Sequence, residues 1–135
     1  MTSCIITVTS AIDRDGEIET IETRSRGTYE YSQDRTVLTY IESAEGVSTP
    51  VKVSTSGGKV TIRRGDIMTL RLEENVGCFG EYVLPFGALD MEYRAVSIDN
   101  RLTEGGGTLS LVYDMTVGGV SSRNTVEIYV SGGEA

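Results

Sequence analysis

Among its 135 residues the chain has no histidine and no tryptophan. Without histidine there is no side chain that ordinarily titrates near neutrality. There is no Ser-His or Cys-His nucleophile pair either, and the commonest metal ligand is missing. Cysteine occurs twice, as Cys4 and Cys78. Two distant thiols do not make a zinc centre, and a disulfide between them is open on paper only. No segment shows a helical apolar period with caps at both ends. No run approaches the ~20 apolar residues of a membrane span, and the N-terminus lacks the basic and apolar regions of a signal peptide. These absences predict a cytoplasmic chain with reduced thiols, no catalytic residues, no metal and no cofactor.

Basic residues are outnumbered: 12 Lys and Arg against 20 Asp and Glu give a net charge of −8. That charge repels phosphate backbones and anionic headgroups, so neither nucleic acid nor a membrane is expected as a partner. Its plain role is solubility. Hydrophobic residues make up 39%, below the ~45–50% of an average globular chain, a figure that also counts glycine. The length suits one domain spanning 1–135 with one core. Proline is scarce at 2 and glycine frequent at 16, as many tight turns between strands would require.

What is present is alternation. From Gly107 onward Leu109, Leu111, Tyr113, Met115 and Val117 interleave with Ser110, Val112, Asp114 and Thr116. This is the period of two of a strand with one buried face. Gly118-Gly119 supplies the positive φ of a hairpin turn, and Val126, Ile128 and Val130 mark the returning strand. Upstream, Cys4, Ile6, Val8 and Ile12 belong to a first strand, and Asp15-Gly16 turns it into a long second strand over 17–31. In that strand Ile21, Thr23, Ser25, Gly27, Tyr29 and Tyr31 share one face, and Gly27 predicts a bulge or bend. Further strands are expected over 36–42, 49–54, 59–64, 67–73, 81–84 and 89–98, with loops over 43–46, 75–80 and 99–106. Regular turns suggest a sandwich or a barrel. Consecutive hairpins without crossovers favour an all-β, antiparallel up-and-down β-barrel of about 8–10 strands, because closure removes exposed edges.

Candidate sites are few. Asp13, Asp15 and Glu17 resemble the start of a calcium loop without the rest of the pattern, so a solvated turn is the reading. Gly105-Gly106-Gly107 lacks the lysine and helix of a phosphate loop. Glu73-Glu74 and Asp90/Glu92 read as outward charges, and Arg24 and Arg26 with Glu22 and Glu30 as a surface ladder. Arg63 and Arg64 differ in parity, so the two face opposite ways, and one pointing into a barrel could bind a carboxylate or phosphate bidentately. The main large side chains are seven tyrosines. They either fill the interior or line a pocket with hydroxyls at its mouth. The ligand-binding candidates are Tyr29, Tyr31, Tyr40, Arg64, Tyr82 and Tyr113.

Several stretches in order carry a resemblance: Thr28-Tyr29-Glu30-Tyr31 after Gly27, Leu38-Thr39-Tyr40-Ile41-Glu42, Val60-Thr61-Ile62-Arg63-Arg64-Gly65, Tyr82-Val83-Leu84-Pro85-Phe86-Gly87 and Gly107 through Met115, with Asn124 before the last strand. With these the chain resembles the YwiB-like family of uncharacterised bacterial β-barrel proteins, a domain-of-unknown-function family with a calycin-like, lipocalin-like fold. The resemblance implies a closed or nearly closed antiparallel barrel and no activity. Calycins often hold a small apolar ligand, which is an analogy from fold; the Gly-x-Trp signature of true lipocalins is absent. Two main functional readings stand. One is a non-catalytic barrel holding a small, partly apolar ligand. The other is an interaction or structural module using the barrel wall or a strand edge, with a homodimer among its forms. A hydrolase working through carboxylates without histidine is a third.

Overall fold

The computed structural model describes residues 2–44 and 46–132. Its strands are β1 (Thr2–Arg14), β2 (Glu17–Glu30), β3 (Thr36–Ala44), β4 (Val47–Ser56), β5 (Lys59–Arg64), β6 (Met68–Leu72), β7 (Gly77–Leu84), β8 (Gly87–Thr103), β9 (Gly106–Val117) and β10 (Val120–Gly132). They form one antiparallel sheet in the order β6-β5-β4-β3-β2-β1-β10-β9-β8-β7. Every neighbour in that order except β1 and β10 is also consecutive in the chain. The up-and-down expectation therefore holds, and the terminal strands join its two halves. β1 and β10 pair from Cys4 opposite Gly132 to Asp13 opposite Arg123.

The barrel is nearly closed, and its seam lies between β6 and β7. The ends of these strands meet where Val83 N donates to Ile67 O at 2.9 Å. Farther along they splay, and side chains bridge the gap. Arg71 N donates to the Tyr93 hydroxyl at 2.8 Å, and the Cys78 thiol donates to Arg71 O at 3.4 Å. The connection between the two strands makes no tight hairpin. It crosses to β8, where Asn75 N reaches Ala95 O at 2.8 Å and Glu74 Oε2 accepts from Ile98 N at 2.7 Å.

The interior follows the period of two. Ile6, Leu38, Val53, Leu70, Leu109 and Leu111 are fully buried. Cys4, Tyr29, Val60, Leu72, Leu102 and Val130 seal one end, called the base. The β1–β2, β3–β4, β5–β6, β7–β8 and β9–β10 turns ring the opposite end, the mouth. Both cysteines are free thiols. Gly118 and Gly119 have φ of 56° and 85°, the left-handed pair that a two-residue hairpin requires. A Cβ on Gly27 would overlap the Thr39 carbonyl oxygen and the Ile6 side chain. Here β2 bends away: it pairs with β3 only from Gly27 to Glu30, whereas its pairing with β1 extends to Glu17.

Several boundaries differ from the sequence reading. β2 ends at Glu30, and Tyr31 lies in the turn that follows. β7 begins at Gly77, inside the segment expected to be loop. β3 runs to Ala44 and β4 starts at Val47, which shortens the expected 43–46 loop. The expected polar loop from residue 99 is the end of β8, which continues to Thr103. The cause is a register shift between Ala95 and Ser97. It moves the inward role from odd to even positions, so Ile98 and Leu102 face in while Asp99 and Arg101 face out.

This facing predicts an asymmetry within β9. Leu111→Asp places an unpaired charge at a fully buried position and should cost about 3 kcal/mol or more, whereas Ser110→Asp should stay within about 0.5 kcal/mol. Denaturant midpoints of the two variants check it, and equal losses would refute the assignment.

Candidate functional site

The mouth leads into a cup of about 440 Å³ lined by residues from most of the strands. Its floor sits above the layer of Leu111, Ile62 and Leu70, and parity places each floor residue. Tyr113 follows Leu111 inward on β9, Arg64 follows Ile62 on β5, and Glu42 follows Leu38 and Tyr40 on β3. Asn124 lies opposite Tyr113 on β10, and Thr23 lies opposite Val8 on β2. Above this polar floor the walls are mainly apolar, through Met68, Met115, Val117, Ile12, Ile21 and Val120, with Ser10, Ser122 and Arg14 between them. Unbranched methionines there can adapt to different shapes. The surrounding turns expose Phe86 and Val120, at 86% and 58% of their surface, so the apolar character continues outward.

The floor is organised around an ion pair. Both terminal nitrogens of Arg64 donate to the Glu42 carboxylate in the fork geometry of a bidentate contact. The side chains are 31% and 15% exposed, so the pair is only partly solvated. Of the five guanidinium N–H groups this leaves some unengaged. Tyr113 is buried to 7% exposure, and its hydroxyl has no hydrogen-bond partner among the described residues. Burial pushes its ionisation upward, and Arg64 pulls it partly back. The Thr23 hydroxyl is also buried without a partner. Asn124 Nδ2 donates to Ser122 Oγ at 3.1 Å.

The candidates named from sequence separate into two groups. Arg64, Tyr82 and Tyr113 line the cup, and Tyr40 is buried beside Glu42, Arg64 and Tyr113. Tyr29 lies at the base, where its hydroxyl donates to the Thr103 carbonyl at 2.6 Å. Tyr31 is exposed in the base turn. Arg64 is the inward member of its pair, whereas Arg63 points out toward Asp66. Glu42 and Thr23 were missed as site residues. The signal for both is parity, since Glu42 shares a face with Leu38 and Tyr40, and Thr23 with Ile21 and Ser25.

A larger hollow, of about 820 Å³, lies on the outer wall between Asp13 and Phe79. Its Arg123 and Asp114 already hold each other through two bonds of 2.7 and 2.9 Å. This pairing holds the Asp114 carboxyl below the usual carboxylate range. The cup is different because the Thr23 hydroxyl is buried there without a partner and the Tyr113 hydroxyl faces it unbonded.

The ion pair and the tyrosines make stability sensitive to alkali. Tyr40 is pushed up to about 12, chiefly by burial and secondly by Glu42, with Arg64 acting in the other direction. In the unfolded chain a phenol ionises near 10. The native state therefore holds the proton more tightly. The resulting stability is complete below about pH 10 and is lost as pH rises toward 12. Denaturant midpoints should fall across that window, and Tyr40→Phe should flatten the fall. An unchanged slope in the variant would mean that another group carries it.

Comparison with known proteins agrees with this architecture. A family profile described as "Domain of unknown function (DUF1934)" matches residues 6–128. The "Uncharacterized beta-barrel protein YwiB" of Bacillus subtilis (strain 168) is 36% identical over 114 residues, covering 82% of this chain and 80% of the relative. A structure described as the crystal structure of ywiB protein from Bacillus subtilis superposes with a TM-score of 0.87 at 30% identity, covering 98% of this chain and 93% of that one. With its ten-stranded, nearly closed barrel and a family match over most of its length, the chain belongs to the DUF1934 family of β-barrel proteins.

Proposed function

We propose that this barrel binds a small amphipathic molecule, taken into the cup by its polar end. The observation that carries the reading is the Tyr113 hydroxyl, which faces the cup from a buried ring without a partner among the described residues. The hydroxyl opens onto the cup, where a ligand oxygen or nitrogen would bond it in place of solvent. The unengaged N–H groups of Arg64 lie on the same floor. A volume of about 440 Å³ suits a small ligand. The calycin-like reading of the fold supports the same conclusion by analogy alone, and two free thiols fit a reducing, cytoplasmic setting.

Charge selects the head group. Glu42 already neutralises Arg64; Arg14, which also lines the cup, pairs with Glu19 at 3.7 Å; and the chain carries −8 overall. A carboxylate or phosphate would add an anion beside Glu42, so a neutral head with a hydrogen-bond acceptor, such as an amide or alcohol, fits better. The reading is of a binder and not an enzyme. Among the described residues lining the cup, Glu42 is the only carboxylate and it is engaged by Arg64, whereas carboxylate-based hydrolysis uses two.

The test is a panel of amides and alcohols with short apolar tails, together with the matching carboxylates, followed by thermal shift and native mass spectrometry. The neutral compounds should raise the melting temperature. Tyr113→Phe should melt like the parent without ligand and bind roughly five- to tenfold more weakly, the value of one hydrogen bond. Failure of every compound to bind, or equal binding by the variant, would refute the proposal.

A further inference from the structure

Above the Gly27 bend, β2 is paired on one side only. Residues 17–26 follow β1 in unbroken register but have no strand on the other side among the described residues. The direction of the unused groups follows from the turn. Asp15 and Gly16 have φ of 54° and 88°, a two-residue hairpin that makes Arg14 and Glu17 a hydrogen-bonded pair. Odd-numbered residues therefore bond to β1. The amides and carbonyls of Ile18, Thr20, Glu22, Arg24 and Arg26 point to the open edge, and all five residues are exposed. The same parity gives Thr28 its pairing with Thr39 of β3, below the bend. Such an edge is a template for another strand.

We propose that the strand it accepts is the same edge of a second copy of this chain, antiparallel about a two-fold axis at Thr23. A two-fold axis relating antiparallel strands stands perpendicular to the sheet, so each residue meets one of the same facing. Several centres lie within the free stretch: one at Arg24 sets that guanidinium opposite its own copy, and one at Thr20 sets Glu22 opposite Ile18. An axis at Glu22 sets that carboxylate directly opposite its own copy, which is repulsive. An axis at Ile21 sets Arg24 opposite Ile18 and Glu22 opposite Thr20, leaving the charges without partners. An axis at Thr23 sets Glu22 opposite Arg24 twice, once on each side, and Arg26 opposite Thr20.

The axis also sets the two Thr23 side chains side by side as a cross-strand pair of like facing. The net charge of −8 does not oppose the contact locally, because the paired window holds one carboxylate, Glu22, and two guanidinium groups, Arg24 and Arg26. This inference stands apart from what the cup binds.

The experiment is sedimentation of the full chain from micromolar to millimolar concentration at about 0.15 M salt, where charges beyond about 8 Å are screened. A dimer is expected. Glu22→Arg and Arg24→Glu should each weaken it about tenfold, since each converts two facing ion pairs into like-charge pairs. The double variant E22R/R24E should restore it. Across β1 these residues face Thr9 and Thr7, so the monomer fold is spared. Hydrogen exchange provides the second readout. The amides of Thr20, Glu22, Arg24 and Arg26 should gain protection with concentration, while Ile18, which lies beyond the paired window, should not. A chain that stays monomeric, leaving the edge to solvent or to another protein's strand, would overturn the proposal. So would a dimer insensitive to both reversals.

Discussion

The structure depends on the ladder between β1 and β10. These strands come from opposite ends of the chain, and their pairing runs from Cys4–Gly132 to Asp13–Arg123. Closing a sheet through its termini is entropically expensive, because the loop that closes is the chain itself. The return is that the free edges of β1 and β10 disappear and the inward rows Cys4–Ile6–Val8 and Val126–Ile128–Val130 become one wall. Everything else is built from neighbouring hairpins, which form locally. Without the terminal ladder there would be two curved half-sheets, each exposing its apolar face.

Closure at one place moves the mismatch to another. Ten strands do not meet perfectly, and the discontinuity falls between β6 and β7. Tyr93 and Cys78 supply the hydrogen bonds that a backbone ladder would have made at Arg71. The second discontinuity, where β2 leaves β3 at Gly27, has no such cover. One gap is sealed by side chains and the other is an open row of backbone donors and acceptors. This contrast separates a structural seam from a surface available for association.

Inside the barrel a similar contrast separates base from mouth. The base is sealed by Leu72, Leu102 and Val130, and its buried phenol, Tyr29, donates to a backbone carbonyl. At the mouth, buried polar groups are only partly satisfied. Arg64 and Glu42 hold each other, but the hydroxyls of Tyr113 and Thr23 lack partners among the described residues. A chain stabilised only for its own fold would gain from an apolar group at Thr23. Polar groups of this kind beneath a largely apolar-walled cup favour a role in binding.

Much of this was legible in the chain. Strict alternation in β9 and β10, the Gly118-Gly119 turn and the opposite parity of Arg63 and Arg64 depend on the local geometry of extended backbone, where successive side chains must point to opposite faces. Such information survives without knowledge of distant contacts. Glu42 was equally legible by parity, though a lone carboxylate after Tyr40 reads as outward until its partner is known. Local pattern could not foresee the register shift beside Val96, which hid the last stretch of β8 behind a reversed parity. It could not say which end of each strand lies at the base. Tyr29 and Tyr113 therefore looked alike, although one supports the sealed end and the other faces the cup. Nor could it locate the seam or the open edge of β2. Those depend on how many strands share one circumference and on where Gly27 lets two of them part, and both are set by contacts far apart in the chain. Residue order determined the strands, their faces and the all-β class. Tertiary closure decided which inward residues meet, because only the curved sheet brings β3, β5 and β9 together around one floor.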